Sequence, residues 1–141
     1  MSELDSFPGH LIRRLHQKSV AAYMSHTGDI DVTQVQFAAL SALDTSPGVD
    51  QAKLGALIAL DKVTTGEVVS RLVKKGLILR EVRATDRRSF ELYLTTEGTT
   101  VLKRLRLVTQ KAQNDLLSPL SKAERETLLN LVKKLVLGSD A

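Results

Sequence analysis

The sequence predicts a mostly α-helical single domain carrying one small β-hairpin. Leucine supplies 24 of the 141 residues, against 8 Gly, 3 Pro and 4% aromatics, a balance that suits packed helices better than a β-sandwich. Apolar residues recur at close to a 3.6-residue period over most of the chain. Residues 77–94 depart from that rhythm, forming two β-rich runs around a charged turn. A chain of 141 residues is one ordinary domain's worth, enough for a single core and too short for a catalytic domain beside a regulatory one.

The first helix is expected from residue 7 to about residue 26, with Phe7, Leu11, Leu15 and Ala22 at helical spacing, Ile12 and Val20 beside them, and Pro8 in the first turn. Thr27-Gly28-Asp29-Ile30-Asp31 is a polar break. Thr33 is a good N-cap for a second helix that turns Val35, Leu40 and Leu43 inward and ends before Ser46-Pro47-Gly48. Val49 and Asp50 form a very short strand ahead of a third helix, whose apolar positions Leu54, Leu57 and Ile58 lead to its end at Leu60. Asp61 caps a fourth helix with Val63, Val68, Val69, Leu72 and Val73 inward. Gly76 ends it, because a left-handed residue there satisfies free carbonyls without a Cβ clash.

Residues 77–82 and 89–94 make the hairpin. In the second run Phe90, Leu92 and Leu94 alternate against Glu91 and Tyr93, and Arg83-Ala84-Thr85-Asp86-Arg87-Arg88 forms a basic tip. Thr95 or Thr96 caps a fifth helix to about residue 117, ~33 Å long, with Val101, Leu105, Val108 and Ala112 in one row, Leu102 nearby and Pro119 beyond its end. Ser121-x-x-Glu124 is a capping box for a sixth helix carrying Leu128, Leu131, Val132 and Leu135 and stopping at Gly138. No internal repeat or linker is visible.

Several function classes fall away. With no Cys there is no disulfide scaffold, Cys-ligated zinc, iron–sulfur cluster or thiol nucleophile. No Walker loop, Gly-x-Ser-x-Gly elbow, His-Glu-x-x-His or dinucleotide glycine motif occurs, so an enzyme is not expected. His10 and His16 are six apart and cannot form a helical i, i+4 metal pair, and His26 with Asp29 or Asp31 is an incomplete zinc set. No metal and no cofactor are expected. Apolar content of 43% with 26% charged residues is ordinary for a globular protein. No run approaches ~18 unbroken apolar residues and no secretory signal opens the chain, so a soluble cytoplasmic protein is expected.

The charge is placed unevenly. The net value is only +4, but residues 61–90 alone hold eight bases (Lys62, Arg71, Lys74, Lys75, Arg80, Arg83, Arg87, Arg88) and four acids (Asp61, Glu67, Glu81, Asp86). A second and third helix, a fourth helix starting at a capped Asp61, and then a hairpin is the order of a winged helix-turn-helix. There the later helix enters the DNA major groove and the hairpin reaches the flanking minor groove. Lys62, Thr64 and Thr65 are candidates to approach base edges, and Arg71, Lys74 and Lys75 to meet phosphates. The other reading of the two threonines is as ordinary first-turn residues satisfying free amides. Gly66, costing about 1 kcal/mol against Ala inside a helix, is rationalised by close backbone approach to DNA. Arg83, Asp86, Arg87 and Arg88 line the wing. A winged-helix adaptor that binds proteins instead of DNA is the alternative, and it predicts no salt-sensitive duplex binding.

From about residue 9 to residue 137 the chain resembles the multiple antibiotic resistance regulator (MarR) family of bacterial winged-helix repressors. Its most specific stretch is Asp86-Arg87-Arg88-Ser89-Phe90-Glu91-Leu92-Tyr93-Leu94-Thr95-Thr96-Glu97-Gly98, similar to the family's wing signature of Asp-x-Arg, a strand, then Leu-Thr-x-x-Gly. Arg71-Leu72 with Gly76-Leu77-Ile78 resembles the end of the family's recognition helix. The resemblance implies that Arg88 is the wing arginine entering the minor groove and Asp86 the acid orienting it. The chain departs from many relatives at Glu67, where they carry a base. Glu67 either accepts from a cytosine amino group or pairs with Arg71 at i+4.

The resemblance further implies a two-fold dimer built from the first, fifth and sixth helices (about residues 7–26 and 96–138) around a DNA-binding lobe of about residues 33–95. The apolar rows on helices five and six agree with it, since a domain this small gains core by pairing. Half-sites ~34 Å apart in a palindromic operator on double-stranded DNA follow. Relatives often bind small aromatic acids in a cleft partly lined by the first helix. Here His10, Arg14 and Gln17 fall at i, i+4 and i+7 on one face of it, and an Arg with a His could clamp the carboxylate of an anionic aromatic effector. Dimer-surface or solvated positions are the other reading of these three.

Overall fold

The computed structural model describes residues 1–83 and 86–138, and of Asp86 and Arg87 the backbone alone. A 3-10 turn, Glu3–Ser6, precedes six helices and a hairpin: α1 (Pro8–His26), α2 (Gln34–Thr45), α3 (Gln51–Ile58), α4 (Lys62–Lys74), β1 (Ile78–Arg83), β2 (Asp86–Leu94), α5 (Thr96–Leu116) and α6 (Lys122–Leu137).

Most helix starts are set by a side chain that accepts an otherwise unpaired amide. Thr33 accepts from Gln36 N–H at 3.1 Å while the Gln36 side chain accepts from Thr33 N–H at 3.2 Å. Asp50, Asp61, Thr95 and Ser121 accept in the same way from Lys53, Thr64, Gly98 and Glu124. The expected glycine at the end of α4 is Gly76, at φ 76°. α3 stops two residues earlier than Leu60, with Ala59 left-handed at φ 57°, and this gives the short turn that leads into α4.

The core lies where α1, α2, α4, the hairpin base and α5 meet. Tyr23, Leu40, Leu43, Leu54, Val69, Leu72, Ile78, Leu92, Leu102 and Leu105 are all essentially inaccessible. Tyr23 is tied by its hydroxyl to the Val32 carbonyl at 2.8 Å, and burial pushes its pKa up to about 12. α5 can lie against the hairpin base because Gly98 has no side chain: a Cβ there would sit 2.1 Å from the Leu77 carbonyl oxygen. Thr95 fixes the same junction, its N–H reaching the Leu77 carbonyl and its hydroxyl the Gly76 carbonyl.

β1 and β2 pair antiparallel, with Ile78 opposite Leu94, Arg80 opposite Leu92 and Val82 opposite Phe90. Pairing continues to Arg83 and Asp86, so β2 begins three residues before the expected Ser89. The register shifts between Val82 and Arg83, so the charged end of the ribbon is paired with an irregularity in the ladder. The tip residues 84 and 85 lie outside the described residues. Val49 does not form a separate strand. It joins the sheet edge through one bond pair, Gly48 N–H to the Leu92 carbonyl and Leu92 N–H to the Val49 carbonyl.

Four expected inward positions point outward. Val35 is 42%, Leu57 46% and Val63 72% exposed, because Gln36, Ala39, Leu54, Thr65 and Val68 fill the buried faces of those helices instead. Phe90, beyond the end of the core, is 41% exposed. On α5, Leu102, Leu105 and Ala112 are buried and Val101 and Val108 half-buried. α6 buries none of its residues, leaving Leu131, Val132 and Leu135 open, and Phe7 just before α1 and Leu11, Ile12 and Leu15 on it are likewise exposed. Among the described residues no helix is long and apolar enough to cross a membrane.

Candidate nucleic-acid interface

The position of α4 is fixed at its N-cap. The Asp61 carboxylate accepts the Thr64 amide at 2.7 Å, and that bond holds its pKa below the usual carboxylate value. From this cap, Thr65, Val68, Val69 and Leu72 turn into the core. The opposite face therefore carries Val63, Glu67, Ser70, Arg71 and Lys74, all exposed. Lys62 is exposed beside the helix start and Thr64 is half-buried.

Thr65 must be corrected as a base-contact candidate. It is 1% exposed and its hydroxyl donates to the Asp61 carbonyl at 2.7 Å, so it seals α4 onto α3 and cannot reach a groove. A Cβ on Gly55 would lie 2.9 Å from that hydroxyl oxygen, which makes Gly55 the partner of this contact. Lys75 is corrected too. Its ammonium donates to the Gln36 side chain at 3.0 Å and to the Asp31 carbonyl, with the Asp31 carboxylate 3.6 Å away, so it ties α4 to the α1–α2 turn rather than facing phosphates. At Gly66 a Cβ would approach Gln51 Nε2 to 3.2 Å. The missing side chain thus already serves the α3–α4 contact.

An open hollow of about 550 Å³ lies between α3, α4 and β1, lined by Gln51, Val63, Gly66, Glu67, Ser70, Arg71 and Arg80. A second, of about 400 Å³, lies between the starts of α3 and α4 and the hairpin, and Lys62, Arg80, Arg88 and Phe90 are among its walls. Arg80 borders both. Its guanidinium donates to Ser70 Oγ at 3.0 Å and stands 6.0 Å from the centre of the Phe90 ring. Sequence reasoning counted Arg80 only as part of the charge window. The signal available was alternation: two residues after buried Ile78, it leaves the strand on the face that meets α4.

On the hairpin, Arg83 lies 3.7 Å from the Asp50 carboxylate, tying the strand end to the start of α3. Arg88 is exposed on β2. The side chains of Asp86 and Arg87, and with them the expected Asp86–Arg88 pairing, lie outside the described residues. Among the described residues no ion pair joins Glu67 to Arg71.

Helix α1 carries the remaining candidates. His10 Nδ1 lies 3.4 Å from the Arg13 guanidinium, Arg14 is 3.9 Å from Asp5 of the preceding 3-10 turn, and Gln17 is exposed. They share a face but do not converge on one group within a single chain. His26 is engaged elsewhere, pairing with Asp115 of α5.

The MarR family model matches residues 32–90, the stretch from the approach to α2 through the hairpin. Among solved structures, the PcaV transcriptional regulator from Streptomyces coelicolor, in complex with its natural ligand, is 34% identical; the match covers 96% of each chain with a TM-score of 0.88. Bordetella bronchiseptica BpsR, whose DNA binding is regulated by 6-hydroxynicotinic acid, is 25% identical over 96% of this chain and 97% of its own, at a TM-score of 0.89. A mutant of MarR from E. coli, complexed with operator DNA, is 27% identical over 90% of this chain and 91% of its own, at a TM-score of 0.83. A capped helix presenting a basic face, an arginine-bearing hairpin beside it and these full-length likenesses agree: the chain belongs to the MarR family of DNA-binding transcriptional regulators, which are not enzymes.

Proposed function

We propose that the protein is a dimeric repressor that reads a palindromic operator with α4 and the hairpin and releases it when a small anionic aromatic ligand binds. The observation that carries the reading is the convergence of Lys62, Arg71, Arg80 and Arg88 along the two hollows that flank α4, with Lys74 exposed further along the same helix. In this reading α4 lies in the major groove, Arg71, Lys74 and Arg80 neutralise phosphates at its edges, and the hairpin lays Arg88 in the minor groove with Arg87 and Asp86 beside it. Gly66 keeps α4 slim where Gln51 crosses it. The open apolar rows of α1 and α6 support pairing of two copies, which sets two α4 helices about one DNA turn apart.

For the effector, the α1 cations are the candidates. Arg14 holds Asp5 only across 3.9 Å with more than half of its side chain exposed, so it is available to grip a carboxylate bidentately, with His10 and Gln17 on the same face. The BpsR likeness, a relative regulated by an aromatic acid, supports that ligand class. The mechanism is differential affinity: a ligand that binds better to the form whose α4 helices are misplaced lowers operator affinity by that difference. Selection of binding sites from a random duplex pool, followed by addition of aromatic acids, is the test. A palindrome released by such an acid with wild type, but not with Arg14→Ala, is the expected result. Failure to enrich any sequence would instead favour a protein-binding adaptor.

A further inference from the structure

A hydrophobic residue stands on the exposed face of α4 where the fold gives it nothing to cover. Val63 is 72% exposed, and a β-branched residue gains nothing in helix propensity there. One turn on, Glu67 stands on the same face. Among the described residues no cation lies within ion-pair distance of it. The flank is closed by Gln51, whose amide packs where Gly66 lacks a Cβ. The centre of the face is thus a methyl-bearing side chain and a carboxylate, with Arg71 and Lys74 further along the helix.

Each of the two has a specific complement in the major groove. An apolar side chain meets the thymine methyl group. A carboxylate offers acceptors only and is repelled by phosphates and by the guanine N7 and O6 acceptors, so a base amino donor is what favours its presence, cytosine N4 foremost. The two positions are ~6 Å apart along the helix axis, close to the ~7 Å rise of two base steps.

Resting on the proposed reading of DNA by α4, we propose that Val63 and Glu67 are the specificity-determining pair of this protein, Val63 reading a thymine methyl and Glu67 a cytosine amino group within two base pairs of each other in every half-site. Both side chains are exposed, so their variants should fold, which circular dichroism checks. The test uses the duplex selected by the wild-type full chain. Replacing each thymine of a half-site by uracil should weaken wild-type binding about fourfold at one position, the factor expected for one buried methyl group, and should leave Val63→Ala binding unchanged there. A second selection with Glu67→Gln should exchange cytosine for adenine at a neighbouring position, since Gln pairs with adenine N6 and N7. Equal uracil effects in wild type and Val63→Ala, or the same selected sequence from Glu67→Gln, would overturn the assignment. A wild-type selection that enriches nothing would overturn the underlying DNA-reading proposal instead.

Discussion

At Gly98 a single missing carbon fixes a junction. A Cβ there would stand 2.1 Å from the Leu77 carbonyl oxygen, a backbone atom that cannot swing away. Gly98→Ala is therefore expected to lower unfolding stability by about 2–3 kcal/mol, the scale of an overpacked core site, read as a fall in the urea midpoint. Gly76→Ala should cost less, about 1 kcal/mol, because only its φ of 76° is at stake. Arg80 presents the opposite case, a residue whose loss should leave stability nearly untouched. Its Ser70 bond is exposed, whereas its place between the two hollows predicts that Arg80→Ala weakens all duplexes alike and reduces the salt slope by about one. Arg80 was hard to single out in the sequence because eight bases share its window. Thr65 was misread because a threonine in a first helical turn looks the same whether its hydroxyl seeks a base or its own carbonyl.

Helix ends were the most legible elements, because a cap is a local bond between residues three apart. Thr33, Asp61 and Ser121 each accept the amide three residues on, as their spacing indicates. Faces were less legible. Val35, Leu57 and Val63 share the apolar character of their buried neighbours, and only tertiary packing decides which row turns inward. The Asp61 cap also gives α4 a pH dependence. Its pKa is lowered in the folded state by the Thr64 amide, so the stabilisation is present above the ordinary carboxylate pKa of 3.8 and is lost as pH falls through the lowered value. Asp61→Asn, which keeps a capping oxygen but does not titrate, should show a shallower loss of stability between pH 5 and pH 2 than wild type, measured by urea unfolding across that range, where ~4 marks the onset. An unchanged acid profile would remove Asp61 from the account.

For the whole molecule, apolar faces at both ends of the chain remain open while the central lobe is packed. α6 buries nothing on its own chain, and Leu131, Val132, Leu135 and Val136 are all at least 40% exposed. Such a surface is consistent with a second copy, and double charge insertion at Leu131→Asp and Leu135→Asp should give monomers by sedimentation that lose operator affinity without losing the α2–hairpin core. In the sequence the apolar rows on the fifth and sixth helices agree with the two-fold pairing that the family resemblance implies, which these variants test, but the placement of α5 against α2 is set by distributed contacts such as the Arg106–Asp44 bond of 2.6 Å, which no local pattern announces. Whether α4 and the hairpin form a DNA-reading surface is decided by the affinity of the protein for its selected duplex as a function of salt. If Lys62, Arg71, Lys74, Arg80 and Arg88 act in both halves of a dimer, the logarithmic slope should be steep, on the order of −5 or beyond. A slope near zero, with equal affinity for a scrambled duplex, would contradict it.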